Sequence, residues 1–363
     1  MPRPRKAVNQ GLPARWTFQH GAYYYQVPPG SEFLWDEKKY FRLGDTLPAA
    51  YKVWSERLGS SDKVNNIGQL LDKYALEIIP QKAVASHNRE NRDVKQLKLV
   101  FGSMRLTALQ PSHIYSYVER RSKKMINENG KAIGGLSAAK HEVNTLSHAF
   151  SKAVEWGIIA RHPFKGQTRI KNAPPRTRYI EDWEIIECLS LKNARKKGSI
   201  KAIQAYIRIK LLTGLSQSDL LRLQPARHIK DDGVHSMRHK TENRIGKQTI
   251  YEWTPELRTA VKDALEARPV NIAPFLFCNK LGKCYIDEET GDLSGWNSMW
   301  QRFMERVLSE TKVEERFTEH DLRAKCASDA LSLEHARALL SHVDTRTTNK
   351  IYRRKPERVR PIR

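Results

Sequence analysis

A basic connector that contains no acidic residue divides this chain into two parts. Residues 165–178 include Gly166, Pro174 and Pro175 together with five basic residues. Glycine and proline interrupt helices and strands, so regular secondary structure is not expected to continue through this segment. A chain of 363 residues also exceeds one typical domain of roughly 100–200 residues. We therefore expect separate folding units on the two sides of the connector.

A small β-sheet is predicted near the N-terminus. Residues 16–18, 22–27 and 40–43 are runs of aromatic and β-branched residues, and residues with turn-forming tendency separate the first two. Residues 47–58 then have the composition of a short helix that can cover one face of such a sheet. A small basic sheet of this kind can present a strand to a DNA groove, and a minor packing domain is an equally valid interpretation.

The next hundred residues have helical spacing. Apolar residues from Ile67 to Ile78 recur every three or four positions, and Pro80 ends the run. Similar patterns cover residues 91–101, a segment that opens at Pro111, and a segment that Ser137 can cap and that ends at residue 157. These four segments predict a four-helix domain.

Beyond the connector the pattern mixes helix and strand. Helices are predicted over 180–189, 200–215 and 296–308, with another opening at Pro255. Residues 235–253 alternate as a β-hairpin does, and residues 274–285 look extended. Three short helices are predicted over 319–331, 332–340 and 344–352. The part after the connector is therefore expected to be a mixed α+β domain.

The charge of the chain favours nucleic acid as a partner. Lys and Arg number 64 against 40 Asp and Glu, which gives a net charge of +24. Such a charge attracts polyanions, although a generally basic surface would have the same composition. No segment approaches the roughly 20 apolar residues that a membrane span needs. No apolar segment follows the basic N-terminus as in a secretory signal, and the four scattered cysteines suit free thiols in a reducing cytoplasm. We expect a cytoplasmic protein of a bacterial host, associated with the nucleoid.

Clusters of basic residues mark candidate contacts with the DNA backbone. They lie in an N-terminal arm, in the predicted helical domain and in the connector. The residues are Arg3, Arg5, Lys6, Arg15, Arg120, Arg121, Lys123, Lys124, Lys171, Arg176 and Arg178.

Four C-terminal segments contain residues suited to phosphate chemistry. LLTGLSQSDLLRL has Ser216 near its centre, RHKTENR contains Lys240, FTEHDLR contains His320 and Arg323, and ALLSHVDTRTTNKIY contains His342 and Tyr352. Each motif alone is weak evidence for a function. In this order, behind a predicted helical domain, they resemble the tyrosine recombinase (phage integrase) family.

The resemblance implies a multidomain fold. It consists of a small three-stranded β N-terminal domain, an all-α four-helix core-binding domain and a mixed α+β tyrosine-recombinase catalytic domain. The implied boundaries are 1–60 for an arm-type DNA-binding domain, 61–164 for the core-binding domain, 165–178 for the linker, and 179–363 for the catalytic domain with a basic tail.

The resemblance also implies the reaction. A site-specific recombinase of this kind cleaves and rejoins DNA through a covalent 3′-phosphotyrosine, and integrates or excises a phage or mobile element. The implied partners are double-stranded DNA attachment sites (core and arm sites), a homo-tetramer on DNA, a DNA-bending protein and an excisionase. Neither a metal nor another cofactor is implied.

The resemblance assigns a role to each motif residue. Tyr352 is the nucleophile, and Arg323 offers a planar fork that matches two phosphate oxygens. His320 or His342 assists the phenol, which needs a base or cationic neighbours to react at neutral pH. Lys240 is the general acid that protonates the departing 5′-oxygen. Taken singly, each of these residues can also be an ordinary core or surface residue, and nearby Lys247 is a rival for the role of Lys240.

Two positions depart from the family pattern. The family has an arginine where this chain has Ser216, and usually a glycine where it has Ser341. A serine cannot donate a charged bidentate contact, and the loss of one preorganised donor costs on the order of 10² to 10³ in rate. Arg222, six residues on, would lie about a third of a turn off the same helix face and is a poor substitute, and Arg208 and Arg244 are the other candidates.

Three origins of Ser216 remain open: an engineered substitution, a natural lesion, or transfer of the role to another basic group. The first functional hypothesis is therefore a recombinase, and the second is a cleavage-impaired DNA-binding or architectural protein. A type IB topoisomerase, which shares the catalytic chemistry, is a third and weaker hypothesis.

Overall fold

The computed structural model describes most of the chain. The described residues are 9, 12–13, 15–30, 32, 35–59, 64–123, 125–126, 132–192, 198–239, 247–356 and 360–362. Five predicted site residues lie outside them, namely Arg3, Arg5, Lys6, Lys124 and Lys240, as does the candidate Arg244. The chain divides into two compact units, Met1–Ala173 and Pro174–Arg363, which we call the N-terminal unit and the C-terminal unit.

The N-terminal unit begins with a three-stranded antiparallel sheet. Strands β1 (Trp16–Gln19), β2 (Ala22–Gln26) and β3 (Tyr40–Gly44) pair in sequence order. Helix α1 (Leu47–Gly59) packs on this sheet, where the Trp54 ring meets the ring of Tyr25 edge-on at 4.6 Å. Aromatic burial of this kind supplies a core that so short a sheet lacks by itself. The sheet and its covering helix agree with the sequence prediction.

Four further helices make up most of the rest of the N-terminal unit. They are α2 (Ile67–Glu77), α3 (Val84–Phe101), α4 (Pro111–Ser122) and α5 (Leu136–Glu155). Their apolar faces, including Leu70, Tyr74, Leu97, Leu146 and Phe150, form one core. Apolar residues at helical spacing therefore bury one face of each helix, as predicted.

Three details of the helical prediction are wrong. Helix α3 begins at Val84, seven residues before the predicted start at residue 91. Helix α5 is preceded by Gly135 at φ 98°, and Ser137 lies inside its first turn instead of capping it. The region is not entirely helical either, because strands β4 (Met125–Ile126) and β5 (Ala132–Ile133) pair between α4 and α5.

The described residues of the C-terminal unit form helices and one antiparallel pair of strands. Its helices are α6 (Asp182–Ser190), α7 (Ser199–Thr213), α8 (Gln217–Leu221), α9 (Pro225–His228), α10 (Pro255–Glu266), α11 (Ser294–Glu310), α12 (Glu319–Asp329), α13 (Leu333–Leu339) and α14 (Thr345–Thr347). A π-helical turn, Thr348–Tyr352, follows α14. Strands β6 (Gly233–Met237) and β7 (Gln248–Glu252) pair antiparallel.

The predicted extended segment 274–285 consists mainly of turns and bends. Its one β-type contact within the described residues is an isolated bridge between Cys278 and Cys284. The buried side chains of Leu276 and Phe277 dock into the core around Trp296, and this docking replaces strand pairing.

Gly214 ends α7 in a conformation that favours glycine. Its φ is 63°, and a Cβ atom there would lie 2.8 Å from Cδ2 of Leu340 and 3.1 Å from Sγ of Cys326. The close approach brings the end of α7 against α12 and the segment that follows α13. In the described part of the chain, no helix is both long and apolar enough to cross a membrane.

Candidate active site

Helix α12 positions two of the predicted residues. Its first turn is closed by a capping box in which the side chains of Thr318 and Asp321 each accept from the other's backbone N–H. His320 and Arg323, three residues apart, therefore lie on the same side of the helix. Arg323 is buried, and its guanidinium donates to the carbonyl oxygens of Gly214 and, at 2.8 Å, Leu340.

Tyr352 lies beside both predicted histidines. Its hydroxyl is 3.1 Å from Nε2 of His320, and its ring centroid is 5.0 Å from the His320 ring and 5.1 Å from the His342 ring. Cζ of Arg323 lies 5.6 Å from the Tyr352 ring centroid. The structure therefore brings together four of the five residues predicted for catalysis, while Lys240 lies outside the described residues.

The contacts of His342 assign its neutral tautomer. A guanidinium only donates, so Nε2 of His342 accepts at 3.3 Å from Arg323, and Nδ1–H then donates to Oγ1 of Thr348 at 2.8 Å. Burial, followed by the positive charge of Arg323, lowers the pKa of His342 to about 4. His342 is therefore a neutral hydrogen-bonding group at physiological pH.

His320 is the histidine that contacts the phenol. Desolvation of the ring, followed by the positive charge of Arg354, lowers its pKa below the ordinary value. A neutral imidazole can accept a proton from the hydroxyl of Tyr352, whereas an imidazolium cannot. The arrangement is that of a nucleophile next to a base.

Ser216 occupies the N-cap of α8, and its hydroxyl is engaged inside the protein. It accepts from the backbone N–H of Asp219 and donates to Oδ2 of Asp219 at 2.6 Å. The other carboxylate oxygen of Asp219 accepts from the backbone N–H of His239 at 3.0 Å. The hydroxyl of Ser216 therefore serves the fold of this corner.

Two of the arginines proposed to replace the missing one are held in ion pairs. Arg222 forms a bidentate pair with Glu288, with contacts of 2.9 and 3.0 Å. Arg208 pairs with Asp263. Neither contacts the group around Tyr352.

Lys247, the rival of Lys240, lies near the site. Its ammonium donates to the carbonyl oxygen of His342 at 3.2 Å. Desolvation, followed by the charge of Arg337, lowers its pKa. The choice of general acid between Lys240 and Lys247 stays open.

Ser341, the second departure from the family pattern, adopts φ 50°. The left-handed region costs a residue with a side chain roughly 1–2 kcal/mol, which accounts for glycine as the usual choice. Its hydroxyl lies 2.8 Å from Oγ1 of Thr249 in β7.

The basic residues predicted to contact DNA have different environments. Arg15, Arg120, Lys123 and Lys171 are exposed. The other three described ones make ion pairs: Arg121 with Glu142, Arg176 with Asp321, and Arg178 with Glu184. Arg121 and Arg178 are only partly exposed, so their ion pairs serve the fold as well.

A buried polar network behind the site was not predicted from the sequence. Lys210 is 1% exposed, and its ammonium donates to the hydroxyl of Tyr206 and to the carbonyl oxygen of Leu215, each at 3.1 Å. Tyr206 in turn donates to Glu319, which also accepts from Gln217 at 2.7 Å. The network joins the segment around Ser216 to the first turn of α12. Its members have no special local pattern, so the sequence carries no signal for it.

Two further contacts hold the segment that contains Tyr352. Oγ of Ser328 donates to the carbonyl oxygen of Tyr352 at 2.9 Å and accepts from the backbone N–H of Arg354 at 2.7 Å.

Among the described residues there is no group of three or more His, Cys, Asp or Glu side chains that could hold a metal ion.

Comparison with solved structures places this geometry in a known fold. A lambda integrase dimer bound to a COC′ core site superposes with a TM-score of 0.59 at 16% identity, over 97% of this chain and 99% of that one. The chain has the integrase fold. A lambda integrase tetramer bound to a Holliday junction gives a TM-score of 0.57 at 16% identity, covering 93% of this chain and 98% of that one.

A second integrase shares most of this fold. The Tn1549 transposon integrase, in complex with circular intermediate DNA, gives a TM-score of 0.57 at 17% identity, over 79% of this chain and 95% of that one. No protein-family model and no curated protein matches the chain. The integrase fold is therefore recognised from the arrangement of the backbone and from neither of these two sequence comparisons.

Proposed function

We propose that this protein is a site-specific DNA recombinase that cleaves and rejoins DNA through a covalent 3′-phosphotyrosine at Tyr352. The observation that carries the proposal is the 3.1 Å contact between the Tyr352 hydroxyl and Nε2 of His320, with Arg323 beneath the tyrosine ring. A nucleophile, a proton acceptor and a cation for the phosphate thus lie together in a chain with the integrase fold.

The chemical step follows from these contacts. The oxygen of Tyr352 attacks the phosphorus while its proton passes to His320. Arg323 neutralises charge on the nonbridging oxygens, and the neutral His342 fixes the orientation of that guanidinium. The bond to the 5′-oxygen breaks, and a lysine that lies in sequence between β6 and β7 (Lys240 or Lys247) protonates the leaving oxygen. The phosphotyrosine retains the bond for rejoining.

The remaining parts of the proposal concern the assembly. Double-stranded attachment sites, including core and arm sites, would be bound by a homo-tetramer in the bacterial cytoplasm. Integration or excision of a phage or mobile element would be the outcome, with a DNA-bending protein and an excisionase as partners. The net charge of +24 and the three-stranded sheet of the N-terminal unit support DNA binding.

The covalent intermediate provides the test. The full chain is incubated with a pool of nicked duplexes of randomised sequence, in which a cleaved short strand diffuses away and traps the adduct. A DNA adduct that survives denaturation is expected for the wild type and for Tyr179→Phe, a matched tyrosine of the same unit. It must be absent from Tyr352→Phe. An adduct that persists in Tyr352→Phe would remove Tyr352 from the reaction.

A second function, that of a DNA-binding or architectural protein with impaired cleavage, is favoured by one contact. The hydroxyl of Ser216 is directed to Asp219, so residue 216 offers the phosphate no charge. The same assay with Ser216→Arg separates the two functions. An adduct formed only by Ser216→Arg supports the architectural protein, and an adduct formed by the wild type supports the recombinase. Absence of an adduct from both rejects the recombinase.

A further inference from the structure

The proposed reaction needs a second cation that Ser216 does not provide. A phosphodiester under attack accumulates negative charge on two nonbridging oxygens, and Arg323 is already bound to two carbonyl oxygens and to His342. Arg222 and Arg208 are held by Glu288 and Asp263. A buried ion pair with Asp321 occupies Arg354.

The β6–β7 hairpin brings another arginine to this corner. Strand β6 ends at Met237, and Arg238 and His239 follow it directly. The backbone N–H of His239 donates to one oxygen of Asp219, while the other oxygen of Asp219 accepts from the hydroxyl of Ser216. A single carboxylate therefore joins the backbone next to Arg238 to the side chain at position 216.

The charge of Arg238 acts on the active site. Burial lowers the pKa of His342, the positive charges of Arg323 and then of Arg238 lower it further, and Arg323 donates directly to the His342 ring. The two guanidiniums thus act on one imidazole from different elements, α12 and the end of β6. Arg238 is partly exposed, which suits a side chain that meets a phosphate entering from solvent.

We infer that Arg238 is a catalytic residue that supplies the second guanidinium to the scissile phosphate, in place of an arginine at position 216. The inference rests on the proposed function and deepens it, because it identifies the group that neutralises the phosphate. Asp219 has a positioning role: it holds the start of the hairpin turn against α8. Ser216 then serves as the N-cap of α8 and as a donor to Asp219.

Rates of adduct formation at saturating DNA provide the first test, with a duplex recovered from the randomised pool as the probe. Arg238→Gln is expected to lower the cleavage rate by about 10² to 10³. Its affinity for uncleaved DNA should change by less than about tenfold, because one phosphate contact is a small part of a DNA interface. Arg222→Gln, a partly exposed arginine of the same unit, is the matched control and should cleave within about threefold of the wild type.

Two further measurements separate a catalytic role from a structural one. Replacing the scissile phosphate by an uncharged methylphosphonate removes the charge that Arg238 neutralises, so the wild type and Arg238→Gln should then cleave at nearly equal rates. Ser216→Arg should restore much of the rate in the Arg238→Gln background while changing the otherwise wild-type protein much less. A common phosphate makes the two substitutions non-additive.

Opposite outcomes would overturn the inference in a recognisable way. Equal cleavage by the wild type and Arg238→Gln rejects Arg238 and leaves the recombinase intact. An equal gain from Ser216→Arg in both backgrounds, or an undiminished defect of Arg238→Gln on the methylphosphonate, also rejects the catalytic role. Absence of any adduct from the wild type and from Ser216→Arg rejects the proposed function itself, and the role of Arg238 with it.

Discussion

Arg354 and Asp321 form an ion pair with a 2.6 Å contact, and their side chains are only 4% and 2% exposed. Arg354 follows Tyr352 by two residues, and Asp321 precedes Arg323 by two. The pair therefore holds the segment that contains Tyr352 against helix α12, which contains His320 and Arg323. Although burial raises the pKa of Asp321, hydrogen bonds from Arg354 and Thr318 outweigh it, and the pKa lies below the ordinary value.

Replacement of Arg354 should lower the stability of the protein substantially. Arg354→Met leaves the buried carboxylate of Asp321 with Arg176 as its remaining ion-pair partner among the described residues, and breaking a buried pair typically costs about 3–5 kcal/mol. We expect a loss of this order in the free energy of unfolding by urea, and loss of the adduct as the Tyr352 segment detaches. Lys355→Met removes the neighbouring, exposed pair with Asp329 and should cost less than about 1 kcal/mol. Equal losses in the two variants would contradict this account.

His320 should determine the acid side of the pH–rate profile. Because its pKa is lowered, the imidazole is neutral down to pH values below about 6.5, the ordinary value for histidine. Adduct formation should therefore be independent of His320 titration between pH 7 and 8, and should fall only at lower pH. His320→Gln cannot accept the proton and should lose about 10² to 10⁴ in rate.

The rate of cleavage across pH 5 to 8 tests this role, with His335→Gln, an exposed histidine of α13, as the control. A profile of His320→Gln that keeps the acid limb of the wild type at an undiminished rate would assign the base to another residue.

How much the sequence predicts depends on whether the deciding contacts are local. Helical spacing correctly predicts the buried face of α2, where Ile67, Leu70 and Tyr74 are all in the core, because the period of a helix is a local property. The first sheet and the coarse division into a β-containing, a helical and a mixed region are equally local. The sequence indicates Ser137 as the cap of α5, whereas the structure has Gly135 there, a glycine with positive φ that has no polar side chain to mark it.

The unpredicted part of the candidate site depends on contacts between distant segments. Lys210 has the residue type of a solvent-exposed helical position, yet it is buried because Tyr206 and Leu215 accept from it and Glu319 lies nearby. Similarly, the sequence ranks Arg238 no higher than Arg222 or Arg208. The distinction appears only when β6 is joined to α8 through Asp219.

His342 should make the stability of the protein depend on pH in the acid range. Its pKa is about 4 in the folded protein and about 6.5 when unfolded, so the unfolded chain binds more protons between these values. The stability that neutral His342 contributes is fully present above pH 6.5 and is lost as the pH falls towards 4. Relative to His342→Gln, the free energy of unfolding of the wild type should fall by at most about 3.4 kcal/mol over this range.

Urea unfolding at pH 7, 6, 5 and 4 measures the difference. Thr348→Val removes the hydrogen bond of His342 but keeps the histidine, and should therefore retain most of the pH dependence. Parallel curves for the wild type and His342→Gln would show that another group titrates.

Lys210 should produce a dependence of the same sign at alkaline pH. Burial lowers its pKa to about 8, although Glu319 acts in the other direction, while an unfolded lysine titrates near 10.4. Between these values the unfolded chain binds more protons, so stability rises with pH by about 1.4 kcal/mol per unit. The free energy of unfolding of the wild type, relative to that of Lys210→Met, should therefore rise from pH 7.5 through 8.5 to 9.5. Lys201→Met, an exposed position of the same helix, should show no such gain, and a constant gap for Lys210→Met would contradict the titration of Lys210.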